Sequence, residues 1–275
     1  MNPHSAPGAG PLSLVRSLWH HKQLIFVMTK REVIGRYRGS VMGLAWSFFN
    51  PILMLAVYTF VFSEVFQSRW PGQEAGKGSF AILLFVGMIV HGLFAECANR
   101  SPSLIMSNGN YVKKVVFPLE ILPVITLGSA IFHTAISLIV LLVAQFILTH
   151  TLYWSAVFFP VILVPLLIAT LGFSWLLAAL GVYLRDVGQV IAVLTTVLLF
   201  LSPVLYPVAA LPEAYQPWLK LNPLTYIIEE SRNVLLFGQL PHWDSLGIAM
   251  LVGLAIAAMG FWFFQKMRKG FADVL

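Results

Sequence analysis

Residues 41–62 read VMGLAWSFFNPILMLAVYTFVF and contain no charged side chain. A bilayer core about 30 Å thick is crossed by about 20 helical residues, because each residue adds about 1.5 Å to a helix. The stretch is therefore long and apolar enough to span a membrane. Five more stretches meet the same criterion, at residues 80–98, 121–148, 154–182, 190–208 and 246–264. The sequence predicts an all-α integral membrane protein with six transmembrane helices.

The composition of the whole chain supports this prediction. Of its 275 residues, 59% are hydrophobic and 10% are charged, whereas about a quarter of a typical soluble domain is charged. The net charge of +6 comes from basic residues placed between apolar runs, so we interpret it as a signal of membrane topology and expect no nucleic-acid partner. The single cysteine, Cys97, allows no internal disulfide.

Lysine and arginine residues are unevenly divided between the two sides of the predicted spans. Thirteen of the seventeen lie on the side that holds both termini, and four lie on the other side. Because positively charged loops remain in the cytoplasm, both termini are predicted to be cytoplasmic. That orientation requires an even number of spans, and six satisfies it.

The chain before the first span divides into two parts. Residues 1–11 are small, polar and rich in proline and glycine, which predicts a disordered N-terminal tail. Residues 12–33 place apolar side chains on one helical arc and polar side chains on the other, which favours an amphipathic helix in the cytoplasmic interface. The apolar arc consists of Leu14, Val15, Leu18, Trp19, Ile25, Phe26 and Val33.

Two connecting segments have a composition of their own. Residues 99–117 are polar and contain a turn signal at residues 108–110, which predicts a cytoplasmic loop with room for a short helix. Residues 202–238 contain five prolines yet remain half apolar, so no continuous helix can run through them. Broken structure at membrane depth is tolerated where it is buried in protein or lines a wet cavity. We therefore expect short re-entrant helices that enter from the outer side.

The sequence contains no catalytic or nucleotide-binding motif. Residues 71–79, PGQEAGKGS, come nearest to a phosphate-binding loop, but Pro71 and Gly78 stand where that loop needs glycine and serine or threonine. His133, like His91, stands alone in a predicted span, where a histidine more often bonds to a neighbouring helix than binds a metal. Glu96 and Glu120 lie too close to helix ends to suggest a proton relay. We expect a transport subunit and not an enzyme.

Three stretches resemble the ABC-2 type permeases that export O-antigen and teichoic-acid chains. They are residues 34–66 (IGRYRGSVMGLAWSFFNPILMLAVYTFVFSEVF), residues 110–124 (NYVKKVVFPLEILPV), and residues 183–238, which begin YLRDVGQ and include LNPLTY and SRNVLLFG. The three motifs occur in the right order, and the resemblance covers nearly the whole chain from about Leu12. It implies a permease of the bacterial inner membrane with six helices per subunit.

The resemblance also implies partners. These are a second copy of the chain, which together with the first encloses a channel, and two cytoplasmic ATPase subunits that bind ATP and Mg²⁺, so that no cofactor binds to this chain. The N-terminal helix and the first cytoplasmic loop are implied to contact the ATPase. We assign this coupling role to Arg16, Arg100, Lys113 and Lys114, with a solvated loop as the other interpretation.

The implied substrate is a polysaccharide linked to polyprenyl pyrophosphate, with O-antigen favoured over teichoic acid. Its pyrophosphate must be bound at the cytoplasmic face, where Arg36 and Arg38 precede the first span and Arg185 follows the fourth. Arginine suits this role because its planar guanidinium group donates paired hydrogen bonds to phosphate. The alternative is that these arginines fix topology and bind ordinary anionic membrane lipid.

Aromatic side chains mark two possible contacts with sugar. Trp46, Phe49 and Phe60 lie on one stripe of the first span and are candidates for a channel wall, although such a stripe more commonly packs in a core or faces lipid. Within residues 202–238, four aromatic residues are candidates for an outer gate or, alternatively, for an interfacial aromatic belt. They are Tyr206, Tyr215, Trp218 and Tyr226.

A second class of function remains open at this point. A membrane-embedded transferase or polymerase of cell-envelope synthesis would also be apolar and basic. Such an enzyme needs acidic or histidine groups at a membrane face, and the sequence pattern does not indicate any.

Overall fold

A computed structural model describes residues 10–65, 79–113 and 117–274, which form helices and turns without a strand. Most of the predicted tail at residues 1–11 lies outside these ranges. The helices are α1 (Pro11–His20), α2 (Lys22–Arg36), α3 (Trp46–Thr59), α4 (Ser79–Ser107), α5 (Gly109–Lys113), α6 (Ile121–Thr149), α7 (Phe159–Tyr183), α8 (Val187–Leu201), α9 (Gln216–Lys220), α10 (Pro223–Leu236), α11 (Trp243–Met267) and α12 (Phe271–Val274).

Five helical stretches in the described part of the chain are long and apolar enough to cross a membrane. Short 3₁₀ or π turns extend several of the α-helices into these stretches. They are Gly43–Phe62, Phe80–Ser107, Ile121–Thr149, Trp154–Tyr183 and Trp243–Val274. The chain is therefore a multi-pass, all-helical membrane protein.

The fifth predicted span, at residues 190–208, is shorter than expected. Its helix, α8, is apolar but has 15 residues, which corresponds to about 22 Å. It ends at Leu201 because Ser202, with φ −111° and ψ 153°, is extended, as is favoured for a residue that precedes a proline. Residues 202–207 contain no helix.

The second span continues beyond its predicted end near residue 98. Helix α4 runs to Ser107, so the first half of the predicted loop at 99–117 is helical, and α5 follows after one residue. Leu104 and Ile105 are buried in this extension. The polar residues that suggested a loop are compatible with a helix because their side chains bond to its own carbonyls, as Ser101 Oγ does to Cys97 O at 2.6 Å.

The predicted single helix at residues 12–33 is divided into α1 and α2, with His21 at the break. Helix α2 extends to Arg36 and packs along α6, where Gly128 gives room for Thr29: a Cβ atom at Gly128 would lie 2.9 Å from Thr29 Cγ2. Leu14, Leu18 and Ile25 pack against the bundle. Val33, at the end of the predicted arc, is buried, whereas Val15, Trp19 and Phe26 are exposed.

Helices α7 and α11 form the closest helix pair. A Cβ atom at Gly172 of α7 would lie 2.6 Å from the Ala257 Cα of α11, and one at Gly260 would overlap the Gly172 carbonyl. Gly181, near the end of α7, likewise has its α-carbon against the Pro102 backbone of α4. These contacts fix α4, α7 and α11 side by side.

One end of the bundle has a hydrophobic core of its own, which includes Ile105, Trp175, Phe264 and Phe271. We call this end the base. It is formed by α1, the C-terminal part of α4, α5, the first turn of α6, and the C-terminal ends of α7 and α11 with α12. A larger core, around Val86 of α4, fills the bundle beyond the base.

The segment at residues 202–238 consists of two different halves. Residues 202–222 are irregular apart from one 3₁₀ turn and α9, as the prolines predicted. Residues Pro223–Leu236 form the regular helix α10, which begins at a proline and is capped by Asn222 through a 3.0 Å bond to Leu224 N. Ile227 and Ile228 are buried, so α10 is packed inside the protein.

Candidate functional site

Four elements of the base meet at Glu120, which is 3% exposed. Its Oε1 accepts a 2.8 Å hydrogen bond from Ser17 Oγ of α1, and its Oε2 pairs with Arg268 Nη1 at 2.7 Å. Its carbonyl oxygen accepts a 3.0 Å bond from Trp175 Nε1 of α7. Arg268 also donates to Phe117 O at 3.1 Å. The sequence pattern assigned no role to Glu120 or Arg268, because the two lie 148 residues apart.

The residues predicted to couple the chain to an ATPase differ in their exposure and in their ion pairs. Arg16 is exposed on α1. Arg100 is paired with Glu32 of α2 and lies 3.6 Å from Glu96, so its charge is partly neutralised. Lys114 and the side chain of Lys113 lie outside the described residues. For these residues the coupling role remains a prediction.

A polar cluster joins α2, α4 and α6 where α2 ends. Arg36 Nη1 lies 2.5 Å from Glu96 Oε1 and 3.1 Å from His133 Nδ1, and His133 Nδ1 lies 3.3 Å from both Glu96 oxygens. The Tyr37 hydroxyl is 3.3 Å from His133 Nε2. Burial raises the pKa of Tyr37, with Arg36 opposing and Glu96 reinforcing that shift. His133 is therefore not alone in its span, although no motif indicated its partners.

The depth of this cluster can be estimated from the helices. Glu96 follows Phe80 by sixteen residues on α4, and His133 precedes Thr149 by sixteen on α6. Each distance corresponds to about 24 Å of helix, somewhat less than a bilayer core. The cluster lies near one membrane boundary if the far ends of α4 and α6 lie near the other. This equal spacing was the one sequence signal that could have paired the two residues.

The three arginines proposed for the lipid pyrophosphate have different surroundings. Arg36 is half exposed but is engaged with Glu96. Arg38 and Arg185 are both exposed. Their role in binding the lipid pyrophosphate remains a prediction.

The aromatic stripe of α3 lies on the outside of this chain. Phe49 and Phe60 are 41% and 62% exposed, and Trp46 forms an edge-to-face contact with Phe49 at 5.2 Å between ring centroids. The buried residues of α3 are Ser47 and Leu55. Phe49 and Phe60 therefore contribute little to the chain's own core, and the channel-wall role of the stripe remains a prediction.

The four aromatic residues predicted for an outer gate divide into two pairs. Tyr215 and Trp218 are 62% and 72% exposed. Tyr206 and Tyr226 are instead tied to the backbone, because their hydroxyls donate to Phe200 O at 2.7 Å and to His242 O at 3.1 Å. The role of these four residues in an outer gate remains a prediction.

Two charged side chains of α10, Glu230 and Arg232, have hydrogen-bond partners within the protein. Arg232 is buried and donates to Leu83 O at 3.0 Å, Pro203 O at 2.6 Å and Val204 O at 2.9 Å. Glu230 accepts a 3.1 Å bond from His242 N and lies 2.7 Å from the His242 ring. Arg232 therefore joins α10 to α4 and to the chain that follows α8.

One cavity among the described residues is lined mostly by apolar side chains. It has a volume of about 470 Å³ and lies between α4, α7, α8, α10 and α11, with Phe94, Leu224 and Val252 in its wall. Such a surface suits a hydrocarbon chain better than a hydrated sugar polymer. The described residues also bring no three His, Cys, Asp or Glu side chains together as a metal site would require.

These features define a multi-pass membrane protein with apolar spans and a base in which a hydrophobic core surrounds the Glu120–Arg268 pair. A match to the ABC-2 type transporter family extends over residues 23–236, and the chain belongs to this family.

Similar proteins cover nearly the same length. The chain is 28% identical over 264 residues to the O-antigen export system permease protein RfbA of Myxococcus xanthus, which covers 95% of this chain and 99% of the relative. An O-antigen export system permease protein RfbA of Klebsiella pneumoniae is 26% identical over 92% of this chain and 95% of its own. The polysialic acid transport protein KpsM of Escherichia coli is 23% identical, over 85% and 91%.

Proposed function

We propose that the chain is the membrane permease subunit of an ATP-driven exporter that carries lipid-linked polysaccharide, with O-antigen favoured, across the bacterial inner membrane. The observation that carries this proposal is the end-to-end similarity to permeases named for O-antigen export, within an established ABC-2 family match. The subunit acts as a homodimer with two cytoplasmic ATPase subunits, which supply ATP and Mg²⁺ binding. Both termini and the base lie in the cytoplasm.

Six spans result if α8, together with the turn that follows it, is counted as the fifth span. Its Thr195 hydroxyl donates to Asn99 Oδ1 at 3.2 Å, and the backbone at Val204 packs against Gly87, so α8 follows α4 over most of its apolar length. The chain returns beside the end of α8, where Asn222 Nδ2 donates to Ser202 Oγ at 2.8 Å. These contacts support a fifth span followed by re-entrant α9 and α10.

The sugar path runs between two copies of the chain. The cavity within one copy is apolar, whereas the stripe of half-buried Trp46 and exposed Phe49 and Phe60 offers flat rings that stack on sugars without fixing a register. Tyr215 and Trp218 form the outer end of this path. Their exposure supports this role. The hydroxyls of Tyr206 and Tyr226 donate to backbone carbonyls, so these two residues hold the gate segment in position.

The lipid pyrophosphate is bound first by Arg38 and Arg185, which are exposed and have room to form paired hydrogen bonds. Arg36 joins them only if its bond to Glu96 opens. An Arg38→Lys, Arg185→Lys double variant keeps both charges and loses the paired donors. It should export several-fold more slowly; unchanged export would leave only the anionic-lipid role.

The enzyme alternative receives some support from the Glu96–His133 cluster. A transferase or polymerase would use such groups as acid and base. Here, however, Arg36 and Arg100 are close to Glu96, and His133 contacts Tyr37 and Glu96, so the cluster is engaged in joining helices. The transport role is the better interpretation.

One experiment separates the two functions. The tagged chain should co-purify with a soluble P-loop ATPase, and both together in proteoliposomes should move lipid-linked polysaccharide only when ATP is hydrolysed. Sugar transfer by the purified chain without ATP would instead establish the enzyme. Export that proceeds without an ATPase partner would also refute the proposal.

A further inference from the structure

The C-terminal residues 268–274 pack into the base, although no sequence motif gave them a role. Phe271 is fully buried, with its ring centroid 5.5 Å from that of Phe264 and 6.1 Å from that of Tyr183. The Tyr183 hydroxyl donates to Met267 O at 2.9 Å. A Cβ atom at Gly270 would lie 2.5 Å from the same hydroxyl, so the chain passes close to α7. The segment is thus held against α7.

Residues 268–274 are also joined to the elements proposed to receive the ATPase. Arg268 donates to the carbonyl of Phe117, whose ring stacks on Tyr111 of α5 at 4.5 Å and 13° between planes. Arg268 also pairs with one oxygen of Glu120, whose other oxygen binds Ser17 of α1. A continuous set of contacts therefore runs from α5 and α1 through Glu120 and Arg268 to the end of α11.

This connection is suited to transmitting displacement. A helix of five residues such as α5 is not stable alone and must be held by its neighbours. The Glu120 and Arg268 side chains are only 4% and 23% exposed, so water screens their attraction weakly. Beyond the base, glycines bring the backbones of α7 and α11 into direct contact. Because such closely packed helices cannot slide past each other easily, we expect the two spans to move together.

We propose that the Glu120–Arg268 pair makes residues 268–274 part of the coupling surface, so that movement of an ATPase against α1 and α5 passes to α11 and α7. Neither residue touches ATP or substrate; both are positioning residues. The inference rests on the proposed function, because it assumes an ATPase at the base. It adds residues 268–274 to the two elements already predicted to contact the ATPase, the coupling loop and the N-terminal helix.

The experiment measures ATP hydrolysis and polysaccharide export in the same proteoliposomes, with the full chain and its ATPase partner. Arg268→Gln should lower export per ATP hydrolysed at least fivefold while the amount of assembled complex stays within twofold. A Glu120→Arg, Arg268→Glu exchange should restore at least half of the wild-type ratio. Lys266→Gln, which changes an exposed charge on α11 outside residues 268–274, is the matched control and should have no effect.

If the Glu120–Arg268 pair only stabilises the folded protein, the result will be different. Export would then fall only in proportion to the amount of assembled complex, with export per ATP unchanged, and the proposal would be refuted. If Arg268→Gln does not assemble, the Glu120→Gln, Arg268→Gln double variant retains hydrogen bonding without charge. It must show the same fivefold loss; a wild-type ratio refutes the proposal. Wild-type protein that exports nothing with an ATPase would count against the proposed function itself.

Discussion

Two spans of this protein are both strongly apolar but have opposite surroundings. In the most apolar 18 residues of Phe80–Ser107, 72% of the residues are buried inside the chain. In the most apolar 18 residues of Gly43–Phe62, only 11% are buried. Both stretches satisfy the same criterion for crossing a membrane. The difference shows that α4 is the central helix of the subunit, while α3 presents its surface to lipid, to a second copy or to a channel.

The largest effect is expected where another helix touches the α4 backbone. A Cβ atom at Gly181 of α7 would overlap the Pro102 carbonyl, and backbone cannot move aside as a flexible side chain can. Gly181→Leu should therefore abolish folded protein, measured as monodisperse material in detergent. Gly92→Leu on α4, where nothing lies within 4 Å, is the control and should fold. Normal folding of the Gly181 variant would mean that α4 and α7 are not in contact.

The second-largest loss of stability is expected when the Arg232 hydrogen bonds that join α10 to α4 are removed. Arg232→Met leaves three buried carbonyls at Leu83, Pro203 and Val204 without this donor, each at a cost of about 1–3 kcal/mol. We expect the free energy of unfolding to fall by about 3–5 kcal/mol in denaturant titration in micelles. Arg31→Met removes an exposed arginine and should change stability by about 0.5 kcal/mol or less. Equal losses in the two variants would contradict the buried position of Arg232.

Leucine-to-alanine substitutions on α4 and on α3 test directly whether the first helix is buried and the second is exposed. Leu84 on α4 is fully buried and Leu53 on α3 is 47% exposed. Because a cavity forms only at the first site, Leu84→Ala should lower the free energy of unfolding by about 2–4 kcal/mol and Leu53→Ala by about 1 kcal/mol or less. If a second copy covers α3, the Leu53 variant should weaken the dimer instead, and sedimentation in detergent would show it. A monomer stability loss at Leu53 as large as at Leu84 would mean that α3 is buried in its own chain.

The smallest effect on stability and a clear effect on transport are expected on the exposed stripe of α3. Phe49→Ala should change the free energy of unfolding by less than about 1 kcal/mol, because the side chain is 41% exposed. If the stripe lines the sugar path, export should fall several-fold at unchanged dimer content. Phe48→Ala, with a neighbouring ring of 45% exposure that lies off the stripe, is the matched control. Equal export by both variants would identify the stripe as a lipid-facing surface.

The positions of α6 and α7 could be predicted because they depend on apolar length over a stretch of chain. The fifth span was predicted to end at residue 208, but α8 ends at Leu201, because Ser202 precedes Pro203 and is extended. The extension of α4 to Ser107 was missed because polar residues outside a bilayer suit a helix and a loop equally well. The division of residues 12–33 at His21 was missed because the apolar arc continues across the break.

The sequence by itself determined that this chain lies in a membrane, roughly where it crosses and to which family it belongs. These conclusions depend on apolar length, on the placement of lysine and arginine, and on ordered motifs, all of which are local. Only the tertiary structure decided that Glu96 meets His133, that Glu120 meets Arg268, and that Arg232 is satisfied by protein. Such pairs depend on the rotation and depth of helices far apart in the chain, and these are set by packing contacts such as Gly172 against Gly260.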